Sequence, residues 1–160
     1  MSGDAVTKPD TPDAPWGTVE TRFEPIHSAA RMRDVEAVRR ELDAGVDVDV
    51  PNGVAANGDG GNTALWFAAQ GPAPGGIDVA RLLIDAGAEI NRQCEDGRTA
   101  LQMAAAWGHL DLVQLLIHHG ADVAIRDDQD MTPADIAAQS KRVPQAQLQP
   151  VVEYLTTLER

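Results

Sequence analysis

A stretch of this chain is written three times over. Gly97-Arg98-Thr99-Ala100-Leu101, Ala104-Ala105, Gly108-His109-Leu110-Asp111-Leu112-Val113-Gln114-Leu115-Leu116 and Gly120-Ala121-Asp122-Val123 follow one another in order. Upstream the same words recur as Gly61-Asn62-Thr63-Ala64-Leu65, Ala68-Ala69, Ile77-Asp78-Val79-Ala80-Arg81-Leu82-Leu83 and Gly87-Ala88-Glu89-Ile90-Asn91. Downstream stand Met131-Thr132-Pro133-Ala134 and Ala137-Ala138, so that Thr63, Thr99 and Thr132 lie 36 and 33 positions apart. A unit of that length is too small to bury its own apolar face. It must cover that face with its neighbours, which predicts a row of helix-turn-helix units stacked in series.

The register extends further back than the identity does. Ile26 to Gly45 spans 19 positions, as does Leu101 to Gly120. Pro25 suits a first helical turn, where a missing N–H costs nothing. Val35, Val38 and Leu42 share one helical face, and Gly45 ends that helix in the left-handed conformation. Arg40-Glu41 stands where the third unit has Leu115-Leu116. A polar outer face is what a terminal capping unit needs. At the other end the last helix is expected from Val151 to Leu158, after a swollen turn running from Arg142-Val143-Pro144 through Pro150. Its apolar residues are dotted with Glu and Thr, as in a cap.

The motif resembles the ankyrin repeat, most closely in Asp96-Gly97-Arg98-Thr99-Ala100-Leu101, Ala104-Ala105, Gly108 to Val113, Leu115-Leu116-Ile117 and Gly120-Ala121-Asp122-Val123. The resemblance implies an all-α fold, an ankyrin-repeat solenoid of helix-turn-helix units with projecting β-hairpin-like loops. Repeats fall at about 24–52, 58–91, 94–126 and 127–158, within a domain of 23–160 that follows a flexible tail of 1–22. The tail carries Pro9, Pro12 and Pro15 and almost nothing apolar, too little to offset its ordering entropy. Trp16 and Phe23 are expected to fold back onto the first unit. The family's Pro after Thr survives only at Pro133, and its His only at His27, with Trp66, Gln102 and Asp135 at the matching places. Asp130 stands for the fourth turn glycine.

Composition narrows the partners. With 25 acidic and 13 basic residues the net charge is −12. A polyanion is repelled by a nucleic-acid backbone and by an anionic membrane, so neither is expected as a partner. A basic protein epitope is compatible, and so is plain solubility. Cys94 is the one cysteine; it permits no internal disulfide and suits a reducing compartment. The start lacks both the basic residues and the apolar run of a signal peptide, and no stretch approaches membrane-spanning length. The expected location is cytoplasmic. Eleven arginines against two lysines, with abundant alanine, point to a GC-rich bacterial gene.

The resemblance also implies where a partner sits: on the loop tips and on the exposed side of the short first helix of each unit. Carried over by position, the tips are Asp59, Gly60 and Asn62, then Glu95, Asp96 and Arg98, then Asp128, Gln129 and Met131. The inner-helix positions are Arg31 and Met32, Gln70, Ala106 and Trp107, Gln139 and Ser140. Trp107 has two readings, an interface anchor or packing against the next repeat. The connection from Asp47 to Asn62 is about six residues longer than its repeat-three counterpart and reads as a mobile binding loop or a neutral insertion.

No catalytic constellation is present. His109 lies ten residues from His119, not at the tight pair spacing of zinc ligands, and no second cysteine assists. Asp127-Asp128-Gln129-Asp130 lacks the glycine and distal glutamate of a calcium loop. No phosphate loop and no nucleophile elbow occur. The expectation is a non-enzyme without metal or cofactor, monomeric when free, that binds one protein partner, as an inhibitor or immunity protein in the sharper version. The alternatives are a regulatory subunit that completes a partner enzyme's site, and a structural oligomerising unit.

Overall fold

The computed structural model describes residues 25–53, 61–72, 74 and 76–159. The expected tail with Trp16 and Phe23, and the loop-tip residues Asp59 and Gly60, lie outside the described residues. Among the described residues are eight α-helices: α1 (Pro25–Met32), α2 (Val35–Asp43), α3 (Ala64–Ala69), α4 (Ile77–Asp85), α5 (Ala100–Ala106), α6 (Leu110–His118), α7 (Pro133–Gln139) and α8 (Gln145–Leu158). They pack as four hairpins, α1/α2, α3/α4, α5/α6 and α7/α8. The first helices form an inner row in which α1 touches α3, α3 touches α5 and α5 touches α7. The second helices form an outer row, α2 to α4 to α6 to α8. Serial contact of this kind is the solenoid the repeat demands.

Local chemistry explains where each helix begins and ends. Thr63, Thr99 and Thr132 cap α3, α5 and α7 by accepting from the backbone N–H of Trp66, Gln102 and Asp135. At α5 and α7 the third residue reaches back, closing a capping box with Gln102 and Asp135 and satisfying two orphan donors at once. Asp34 caps α2. Asp78 and Asp111 sit in the first turns of α4 and α6, where the helix dipole favours negative charge. Helices α2, α4 and α6 stop in one way. Gly45, Gly87 and Gly120, at φ of 86°, 93° and 95°, follow the last turn. Their N–H groups donate to Leu42, Ile84 and Ile117, and the next residues, Val46, Ala88 and Ala121, donate to Glu41, Leu83 and Leu116. These are three Schellman stops, each with an apolar residue after the glycine.

The core lies between the rows. Ala68, Ala69, Ala104, Ala105 and Ala137 are fully buried, and their small size lets the inner helices approach. Leu83, Leu112, Leu116, Leu148 and Leu155 fill the space beneath. Helix α2 buries only Val38 whereas α6 buries Leu112, Val113, Leu115 and Leu116. The difference follows from Arg40 and Glu41 on the outside of the first hairpin, as a capping unit requires.

The last helix corrects the sequence reading. It starts at Gln145, not Val151, and carries Pro150 inside it. Proline there forgoes the bond to the Ala146 carbonyl and costs about 3 kcal/mol. Leu148, Val151 and Leu155, spaced for one face and wholly buried, each contribute roughly 1.5–3 kcal/mol and outweigh it.

Candidate functional site

The connections between hairpins project as fingers, and short-range hydrogen bonds shape them. No strand is assigned among the described residues, yet the loops close like hairpins. Cys94 N–H donates to the Arg98 carbonyl at 2.8 Å, and Asp127 N–H to that of Met131 at 3.1 Å. In the second-to-third connection both Asp96 (φ 60°) and Gly97 (φ 68°) are left-handed, which gives the two-residue turn preferred in tight hairpins. In the next finger only Asp130 is left-handed, at φ 61°. Asp127 supports this wider turn by accepting from the N–H of Gln129 and Met131. In the first finger Asn52 N–H donates to the Asn62 carbonyl and Gly61 N–H to that of Gly53. The backbone passes so close there that a β-carbon on Gly61 would run into the Gly53 carbonyl.

Neighbouring fingers are laced to one another. Asn62 Nδ2 donates to Glu95 and its Oδ1 accepts from Glu95 N–H, both at 3.0 Å. Gln93 Nε2 donates to the carbonyls of Gly97 and Arg126. Asp128 N–H donates to the Asp96 carbonyl. One tie recurs at fixed spacing. His27 Nε2 donates to the Val50 carbonyl at 2.7 Å, and Gln102 Nε2 to that of Ile125 at 3.2 Å, each 23 residues downstream. Gln102 thus does in its repeat what His27 does in the first.

Between the fingers and the inner helices runs a groove of about 830 Å³. Its floor holds Trp66, Phe67 and Trp107, and its rim Arg31, Met32, Asn62, Gln70 and Glu95. Trp66 and Phe67 meet edge to face at 5.2 Å. Met32 is 74% exposed, an apolar side chain left standing at the rim. The edges differ in charge. Arg31 and Arg33 line the α1 end, and Arg142 lies over the Trp107 ring, 5.4 Å from its centre. The fingers opposite carry Glu95, Asp96, Asp128 and Asp130, all exposed.

The expected site residues separate into two groups. Arg31, Met32, Gln70, Glu95 and Trp107 share the groove, while Asp96, Asp128, Gln129 and Gln139 are exposed outside it. Met131 is half-buried, and its carbonyl accepts from Gln102. Two residues expected at tips lie below them: Asn62 is 6% exposed and tied to Glu95, and Arg98 is paired with Asp127 at 3.1 Å. Trp107 is half-buried, packed on the core and part of the groove lining. The indole N–H groups of Trp66 and Trp107 are buried and have no hydrogen-bond partner among the described residues. Sequence reasoning passed over Trp66 and Phe67 as floor residues. The signal was the pair of bulky aromatics where the third repeat has Gln102 and Met103.

The turn beside the groove is pinned from two sides. Arg33 Nη2 donates to the Pro72 carbonyl at 2.6 Å, and His109 Nε2 to that of Gly71 at 2.7 Å. Since a carbonyl only accepts, the His109 proton sits on Nε2. Burial, with a smaller contribution from the nearby Arg33 charge, holds His109 below the usual imidazole range despite that hydrogen bond. Burial likewise pushes the Cys94 thiol up, which makes it a packing residue beside Thr63 rather than a nucleophile. Burial would raise Asp127, but the N–H groups of Met131 and Gln129 and the Arg98 guanidinium outweigh it and leave the carboxyl below its ordinary value. Among the described residues no group of three His, Cys, Asp or Glu side chains is placed to hold a metal ion, and no helix is long and apolar enough to cross a membrane.

The family model described as Ankyrin repeats (3 copies) matches residues 75–158. Rabankyrin-5 of Mus musculus is 32% identical over 126 residues, covering 74% of this chain and 10% of that protein. The B-cell lymphoma 3 protein homolog of Mus musculus is 31% identical over 118 residues, 74% of this chain and 24% of that protein. Ankyrin repeat domain-containing protein 63 of Homo sapiens is 40% identical over 79 residues, 49% of this chain and 21% of that protein. The chain spans a quarter or less of the length of each of these three relatives. Capped inner helices, Schellman stops, laced fingers and this match all have one source: the chain belongs to the ankyrin-repeat family.

Proposed function

We propose that this chain docks a protein partner through its finger tips and its inner-helix groove, and acts by occupying the surface it binds. The observation that carries the reading is the groove itself, where Arg31, Met32, Gln70, Glu95 and Trp107 converge on an aromatic floor. Aromatic anchors in a partly desolvated cleft are where binding energy concentrates. The acidic fingers favour a basic epitope on the partner, so that association slows as salt rises. An inhibitory role, with one copy of the chain shielding one copy of a basic protein, is the sharper form of this reading and is supported by the exposed acidic fingers.

The test is affinity capture with the unaltered chain beside Met32→Ala and an Asp128→Lys/Gln129→Lys variant. The expected result is a protein held at one-to-one stoichiometry by the unaltered chain. It should be lost or weakened in both variants while their melting temperatures stay put. Equal capture by all three would overturn the reading.

A further inference from the structure

The groove lies at the beginning of the stack, and α1 forms one of its walls. Pro25, the first residue of α1, is preceded by 24 residues outside the described structure. Their sequence complements the groove. They carry five carboxylates (Asp4, Asp10, Asp13, Glu20 and Glu24) against Lys8 and Arg22, and two aromatics, Trp16 and Phe23. The groove offers Arg31 and Arg33 at the α1 end, an aromatic floor of Trp66, Phe67 and Trp107, and Met32 exposed at the rim. Reach is sufficient. Trp16 stands nine residues before Pro25, a span of up to about 30 Å when extended. The eight-residue α1 is about 12 Å long.

We propose that the groove is the seat of the chain's own segment from Trp16 to Glu24, with the aromatics on the floor and the carboxylates beside Arg31 and Arg33. A partner that uses the groove must then displace this segment, and its apparent affinity falls by the fraction of molecules in which the seat is taken. The inference adds an internal competitor to the docking surface proposed above. It is read without any partner, so its failure leaves that reading standing, and failure of partner capture leaves this one standing.

Three tryptophans in the chain give three indole N–H signals in a nitrogen-15 spectrum of the full-length protein. A Trp16→Ala/Phe23→Ala variant removes one. The expected result is that the Trp66 and Trp107 signals move in that variant. A synthetic peptide of residues 12–24 added to it should return them toward their original positions, less effectively in high salt. Unmoved Trp66 and Trp107 signals would overturn the proposal. A dependence on protein concentration that tracks dimer formation by sedimentation would also overturn it, since the seat would then hold a second copy's segment. If the variant loses its cooperative melt, failure of the peptide to restore that melt counts against the proposal and restoration counts for it.

Discussion

The Arg98 guanidinium lies 3.1 Å from the Asp127 carboxylate, with the two side chains 16% and 0% exposed. The pair joins the base of one finger to the base of the next, and the same carboxylate holds the N–H groups of Gln129 and Met131. Removing it strands a nearly buried guanidinium and two donors together. Asp127→Ala should cost about 3 kcal/mol, read as a lower urea midpoint with unchanged slope. Because the folded carboxyl sits below its ordinary value, its contribution is complete above the unfolded carboxylate pKa of about 4. It is lost as pH falls through the folded value. An acid titration of stability should therefore fall more steeply for the unaltered chain than for Asp127→Asn.

His109 adds to the same acid limb of the pH profile at higher pH. Its folded pKa is depressed, so the unfolded chain takes up a proton first, near pH 6.5. Stability contributed by the neutral imidazole is present above that pH and declines as pH drops toward the folded value. His109→Gln keeps a donor for the Gly71 carbonyl and removes the titration. Its melting temperature should vary less between pH 7 and pH 5 than that of the unaltered chain (pH points chosen around the imidazole range).

Gln102 and His27 reach the same place in the third and first units, so exchange between them is informative. Gln102→Leu deletes donors to Ile125 and Met131 and the return bond of the capping box, and should cost about 2–3 kcal/mol. Gln102→His should cost at least about 1 kcal/mol less. Equal destabilisation in thermal melts would mean that the 23-residue tie is incidental.

Gly120 has open space where a β-carbon would stand, and only its φ of 95° resists substitution. Gly120→Ala should cost about 1–2 kcal/mol and Gly120→Asn less, since asparagine tolerates the left-handed region better. Denaturant melts of the two variants decide it.

Met32 separates binding from folding. At 74% exposure its truncation should change stability by less than about 0.5 kcal/mol. If it rims a docking surface, a captured partner should bind roughly 1–2 kcal/mol more weakly. Calorimetry on Met32→Ala measures both.

The repeat was legible because its signals are local. A threonine before an alanine-rich run and a glycine after a leucine pair define caps and stops by themselves, and each falls where its chemistry puts it. The last helix was misread because Pro150 is a local signal that a tertiary one overrides: the deep burial of Leu148 needs the helix to begin at Gln145. Arg98 and Asn62 were placed at tips by their position in the motif. What draws them inward is the Asp127 carboxylate in the next finger for one and Glu95 for the other, neighbours that adjacency in sequence does not reveal. The groove floor was hidden for a similar reason. Trp66 reads as a departure from a pattern until the stacking of α1, α3 and α5 places it and Phe67 in one groove with Trp107.

The joints along this molecule use one vocabulary of threonine caps, Schellman glycines and finger-to-finger amides, spaced by about 33 residues. A duplicate of the unit from Arg98 to Asp130 therefore carries both partners of the Arg98–Asp127 pair within each copy. Spliced in tandem, it should add two more helices and extend the rod by about 10 Å, one helix-packing distance, without any newly designed seam.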